Sequence, residues 1–209
     1  MNSSPKQKVI FYIDGFNFYF GLKSKKWKKY YWLDMVKFCE SFLKPHQELV
    51  QVNYFSAIQK NNSKADRQDK FFVANKLNPK FKLHLGKYLQ KNFTCKSCKS
   101  SFPLYEEKET DVRIAVEMIK DAVKNNCDIS ILISADSDLI PPIEFMRELK
   151  SSHKIWTYFP PKRFSYDLKN LTDRFVLLDR HQDRFEKSIL NEKIKLESGY
   201  ILEKPKHWK

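Results

Sequence analysis

Apolar positions along the chain fall into short blocks whose spacing changes from one block to the next. Val9-Ile10-Phe11-Tyr12-Ile13 is a continuous β-branched and aromatic run that stops at Asp14-Gly15, as a buried strand ending in a sharp turn does. Leu33 to Leu43 carries Val36, Phe38, Cys39, Phe42 and Leu43 and is closed by Pro45, which predicts a helix. Leu49 to Ala57 reads as a second strand, and Lys64 to Leu77 as a charged helix burying Phe71, Phe72, Ala74 and Leu77. Phe81 to Leu89 alternates apolar with polar residues, a half-exposed strand. Glu109 to Asn125 is the clearest helix, with Val112, Ala115, Val116, Ile119 and Val123 forming an apolar stripe of 3.6-residue period. Ile129 to Ser134 is an apolar strand that runs into Ala135-Asp136-Ser137-Asp138. Pro141 and Pro142 open a helix through Lys150, since proline is tolerated in a first turn. A strand at Ile155 to Phe159, a short helix near Ser165 to Asn170 and a strand at Phe175 to Leu178 follow. Arg180 to Leu190 reads as a terminal helix and Gly199 to Lys209 as a tail.

Strands alternating with helices predict an α/β domain with a mainly parallel sheet, in which ligands bind beyond the carboxyl ends of the strands. The expected division is one domain over residues 1–180, with a Cys-containing insertion at about 90–105, followed by a helix and tail over 181–209.

Composition narrows the function. The 209 residues carry a net charge of +14, which favours polyanions such as RNA or DNA. Only four glycines are present, with no G-x-G and no G-K-[ST], so a dinucleotide loop and a Walker-A loop are excluded. No apolar run approaches the ~18 residues that span a bilayer, and the polar N-terminus has no apolar leader core. Four scattered cysteines do not make a secreted disulfide framework, and the expected location is cytoplasmic.

Two strands end in acids: Asp14 on one, Asp136 and Asp138 on the other, while Asp111 begins the long helix. If both strands are parallel and central, these four carboxylates converge on one sheet edge. Crowded carboxylates repel one another and are tolerable around a hard cation such as Mg²⁺ or Mn²⁺. A cation so held can activate water and clamp a phosphate. Gly15 permits the turn that aims Asp14, and Asn17 can orient a ligand or water. The plain alternative is structural: Asp138 would cap the helix starting near Leu139, and Asp111 would complement a helix N-terminus.

Asp14-Gly15-Phe16-Asn17 resembles the D-G-x-N opening of NYN domains, the LabA-like branch included, within the PIN-like nuclease superfamily. Lys108-Glu109-Thr110-Asp111-Val112, with Ala115 and Glu117, resembles the family's K-G-x-D-V helix start. Ser134-Ala135-Asp136-Ser137-Asp138-Leu139 is similar to S-G-D-S-D-F, with Pro142-Ile143 following in register. The resemblance covers roughly residues 8–180. It implies a Rossmann-like α/β/α sandwich and a metal-dependent endoribonuclease, a hydrolase, with Asp14, Asp111, Asp136 and Asp138 as metal-binding and catalytic acids and Asn17 in support. Glu109 and Ala135 stand where the family commonly has glycine. Glu117 replaces a frequent Asp, about 120° around the helix from Asp111, and is not expected to share its metal.

Lys25, Lys26, Lys28 and Lys29 surround Trp27 just after the Asp14 motif and read as a platform for single-stranded RNA, with DNA as a second substrate. The bland reading is a solubilising loop with Tyr31 and Trp32 tucked inward. Lys60, Lys64, Arg67, Lys70, Lys87, Lys91, Lys96 and Lys99 add positive charge, and Lys108, Lys162 and Arg163 are candidate phosphate contacts. Cys95 and Cys98 have zinc-knuckle spacing but lack a second pair. His84, Cys127 or a second copy in a homodimer would have to complete the site; otherwise they are two reduced thiols in a hairpin. The alternative function is a non-catalytic RNA-binding or scaffold protein. A phosphatase of the haloacid-dehalogenase type would need a second Asp after Asp14-Gly15.

Overall fold

The computed structural model describes residues 5–58 and 62–208, with no side-chain description at 62, 89–91 and 103–107. Lys60, the Lys91 side chain, the first four residues and Lys209 therefore lie outside the described part. Seven strands form one sheet in the order β4-β3-β2-β1-β5-β6-β7. β1 (Gln7–Asp14), β2 (Gln47–Ala57), β3 (Phe81–Thr94), β5 (Ile129–Ile133), β6 (Lys154–Phe159) and β7 (Arg174–Leu177) run parallel, and β4 (Ser101–Lys108) is antiparallel at one edge.

Period-two alternation along β1 builds a core on each face. Val9, Phe11 and Ile13 join Phe18, Leu22, Phe38 and Phe185 on one side. Ile10 and Tyr12 join Ile114, Met118, Ile143 and Leu168 on the other. The result is a Rossmann-like three-layer α/β/α sandwich. The helices are α1 (Gly15–Ser24), α2 (Met35–Glu40), α3 (Asn62–Lys76), α4 (Thr110–Val123), α5 (Ile140–Leu149), α6 (Tyr166–Leu171) and α7 (Gln182–Lys187). The chain moves outward from β1 through β2 to β3 and returns to β5 on the other side of β1. That reversal opens a crevice at the carboxyl ends of β1 and β5.

Four elements depart from the sequence reading. α1 was not foreseen: Phe16, Phe18, Phe20 and Leu22 show no clear helical stripe, yet Asp14 caps the helix by accepting the Asn17 N–H. In α4 the inward face is Ile114, Met118 and Ala122, while Val112, Val116 and Val123 are exposed. The chain offers apolar stripes on two faces there, and the polar Asp121 is drawn inward by the Tyr12 hydroxyl, which donates to it at 2.9 Å. The helix expected over 180–190 is only α7, and the tail folds back. β8 (Lys193–Lys195) and β9 (Ile201–Glu203) form a hairpin, and Trp208 packs on Tyr31 and Trp32. Finally, the 90–105 insertion is the tip of the β3–β4 hairpin, which extends past the end of β2 because Gly86 is already level with Ala57.

Candidate functional site: an acidic cluster at the switch point

Ile13 pairs with Ile133, so the residues that follow β1 and β5 emerge side by side. The Asp14 carboxylate accepts the Asn17 N–H through one oxygen and the Ser134 hydroxyl through the other, each at 2.9 Å. The Ser134 oxygen in turn accepts the Asp136 N–H at 3.1 Å, and Asn17 Oδ1 accepts the Ala135 N–H at 3.3 Å. These four bonds tie the two strand ends into one unit. Ser134 is a positioning residue that sequence reasoning quoted within its motif without assigning it a role.

Gly15 does not serve through a left-handed turn, because it has no positive φ. A Cβ there would sit 2.6 Å from the Phe55 carbonyl oxygen and 2.6 Å from the Tyr54 ring, so the position requires absence of a side chain. The glycine expected at position 109 has the other kind of explanation: Glu109 is left-handed, with φ +76°. It is held by ion pairs to Lys87 at 3.2 Å and Arg113 at 2.9 Å, both partly exposed. A left-handed non-glycine residue costs about 1–2 kcal/mol. Glu109→Gly should therefore be more stable than Glu109→Ala by about 1 kcal/mol in urea melts.

Oxygens of Asp14, Asp111 and Asp136 all lie within 4.8 Å of one another. Asp14 is buried, and that burial pushes its carboxyl from 3.8 up to about 6, with repulsion from Asp111 and Asp136 adding to it. Its bonds from Asn17 and Ser134 act the other way. Asp111 is also raised, by burial first and then by Asp136 and Asp138. A hard cation fits this set: three carboxylate oxygens converge and their mutual repulsion is incompletely offset. Asp138 is exposed and outside the triplet. The cap of the short 3₁₀ turn Ser137–Leu139 is Asp136, which accepts the Asp138 N–H at 3.0 Å, rather than Asp138 itself. Asp14 and Asp136 thus cap and converge at once, so the structural and chemical readings coexist. Glu117 lies outside the triplet and pairs with Lys120.

The expected aromatic platform at Trp27 turns inward. Tyr30 and Trp32 are fully buried, and Trp27 packs edge-on against Tyr30 and Phe185 at 5.3 Å from each. Lys25 lies over the Trp27 ring at 5.4 Å and Lys29 pairs with Glu186 at 3.2 Å, while Lys26 and Lys28 are exposed. The aromatics are drawn in because α7 supplies Phe185 as a partner from far downstream in the chain, beyond the reach of local pattern. Lys162 and Arg163 are exposed in the turn after β6, at the carboxyl edge, and Lys108 ends β4 just before α4.

Cys95 and Cys98 sit in the hairpin turn, where the Cys95 N–H donates to the Ser100 carbonyl at 2.9 Å. The proposed zinc partners are elsewhere. His84 bonds Asn53 at 2.9 Å and stacks on Phe55, and Cys127 is buried beside Ser130. Hydrogen bonds from Ser100 and then Cys95 lower the exposed Cys98 thiol to about 7. Iodoacetamide at pH 7 should modify Cys98 at least ~10-fold faster than buried Cys39 or Cys127, read by peptide mass mapping.

A sequence model of the NYN domain matches residues 8–179. A crystal structure of a Vibrio parahaemolyticus protein of unknown function shares the fold, with TM-score 0.57 and 19% identity over 84% of this chain and 95% of that one. No protein of curated function matches the chain in sequence.

Proposed function

The chain belongs to the NYN domain family, whose members are typically nucleases, and on that premise we propose that it is a divalent-metal-dependent endoribonuclease of the LabA-like branch. The single observation that carries this reading is the convergence of Asp14, Asp111 and Asp136 at the switch point. Mg²⁺ or Mn²⁺ held there supplies positive charge against a phosphate and lowers the pKa of water. The protein's own contribution is preorganisation. Ser134 and the Asn17 amide fix the Asp14 carboxylate, Asn17 locks the Asp136 loop, and Asp138 adds an exposed acid beside them. Exposed cations such as Lys26 and Lys28 after α1, and Lys162 and Arg163 after β6, suit the backbone of a single-stranded RNA, or less well DNA. Among the described residues no helix is long and apolar enough to cross a membrane. We place the protein in the cytoplasm, and a homodimer is compatible with this reading.

Incubating the protein with labelled single-stranded RNA, single-stranded DNA and a phosphomonoester, each with Mn²⁺ or EDTA, tests the assignment. RNA cleavage in Mn²⁺ alone is expected. Retention of RNA without cleavage would favour a binding or scaffold role, and release of phosphate from the monoester would favour a phosphatase.

A further inference from the structure

A cavity of ≈ 190 Å³ lies between α1 and α3, over the carboxyl end of β2. Gly15 and Phe16 form part of its wall, so it adjoins the residue next to Asp14. Its walls are aromatic: Tyr19 and Tyr31, with rings 5.0 Å apart, stand on one side, and Trp208 from the chain's end packs against Tyr31 at 5.8 Å. Lys23, Lys64 and Arg67 also line it, and among the described residues no acid does. Ser56 and Gln68 put polar groups among the rings, with Gln68 Nε2 donating to the Ser56 hydroxyl oxygen at 3.1 Å.

Flat rings, cations without acids and a few hydrogen-bonding groups are what an unpaired base with its phosphates requires. The volume is below the ~300–1,000 Å³ that encloses a drug-sized ligand, which suits one base rather than a dinucleotide. We propose that this cavity is a nucleobase subsite, taking one unpaired base of the strand whose backbone lies against Asp14, with Lys23, Lys64 and Arg67 meeting the adjoining phosphates. The proposal rests on reading the carboxylates as a phosphodiester site and names what lies beside it. It also gives the folded-back C-terminal segment a use, since Trp208 completes one wall.

The test is photocrosslinking of a 5-iodouridine-containing RNA octamer to the full chain in EDTA, with adducts mapped by mass spectrometry. Octamer affinities of Tyr19→Ala and of the double variant Lys23→Gln/Arg67→Gln are measured alongside. Tyr19 is 38% exposed, Lys23 is exposed in the last turn of α1 and Arg67 is only half-buried on α3, so these variants should fold. Adducts on Tyr19, Tyr31 or Trp208, with each variant binding ~10-fold more weakly, are expected. Adducts confined to other residues, with affinities within about twofold of wild type, would overturn the subsite. Uridine monophosphate binding as tightly as the octamer would assign the cavity to free nucleotide and overturn the strand reading. All arms are read without cleavage, so an inactive protein can still pass, and an active one can fail here while its carboxylate site stands.

Discussion

Asp14→Asn is expected to unfold at higher urea than wild type at pH 7.5 in EDTA, by about 2–3 kcal/mol, while losing cleavage. Burial makes the ionised Asp14 the disfavoured form, and its carboxyl titrates near 6 instead of 3.8. A raised folded-state pKa gives stability that is fully present below pH 3.8 and is lost as pH rises through about 6. That gap corresponds to about 3 kcal/mol at most. The amide never ionises, yet it can still accept from the Asn17 N–H and pair with Ser134. The advantage of the variant should thus vanish near pH 4 and reach its full size above pH 7. For a chain of this length it appears as a rise in Tm of about 5–10 °C. Mn²⁺ should cancel this advantage at about 100 times Kd, where a cation bound only by the folded wild type stabilises it by about 2.7 kcal/mol, and reverse the order at about 1,000 times Kd, where the gain is about 4.1 kcal/mol.

The second large effect belongs to the core on the α1 face of the sheet. Phe185→Ala should cost about 3–5 kcal/mol, read in the same urea melts. Phe185 is fully buried, with ring contacts at 4.5 Å to Phe38, 5.3 Å to Trp27 and Tyr30, and 6.2 Å to Phe18. It joins α7 to α1, α2 and the Trp27 segment, and thereby holds the lysine-rich stretch in place. Were residues 181–209 a peripheral appendage, the same change would cost less than ~1 kcal/mol.

What was legible in the sequence follows from what is local. The runs that became β1, β5 and β6 are short, apolar and sharply ended, because central parallel strands are buried on both faces. Their acids could be placed together from topology alone, since residues leaving adjacent parallel strands must emerge together. Three features were hidden because distant partners decide them. The inward face of α4 was chosen between two apolar stripes by Tyr12 reaching Asp121. The Trp27 segment was turned inward by Phe185. The terminal tail was anchored where Trp32 donates its indole N–H to the Asn191 carbonyl at 2.9 Å. Asp138 shares the motif of Asp136 and lies outside the triplet of converging oxygens, although its charge still acts on Asp111. Glu109 shows the reverse: a departure from the motif whose backbone holds the left-handed conformation that glycine favours.

Wild-type protein and Asp136→Asn, purified in parallel, can be compared in single-turnover cleavage of an internally labelled single-stranded RNA in Mn²⁺. Asp136 supplies one of the three converging oxygens, and its amide variant keeps the cap on the 3₁₀ turn. The predicted result is cleavage by wild type that is abolished by EDTA, and a rate at least ~10³-fold lower for the variant at unchanged fold. Equal cleavage by the two proteins, or none by either, would contradict the assignment of this cluster as a phosphodiester-cleaving centre.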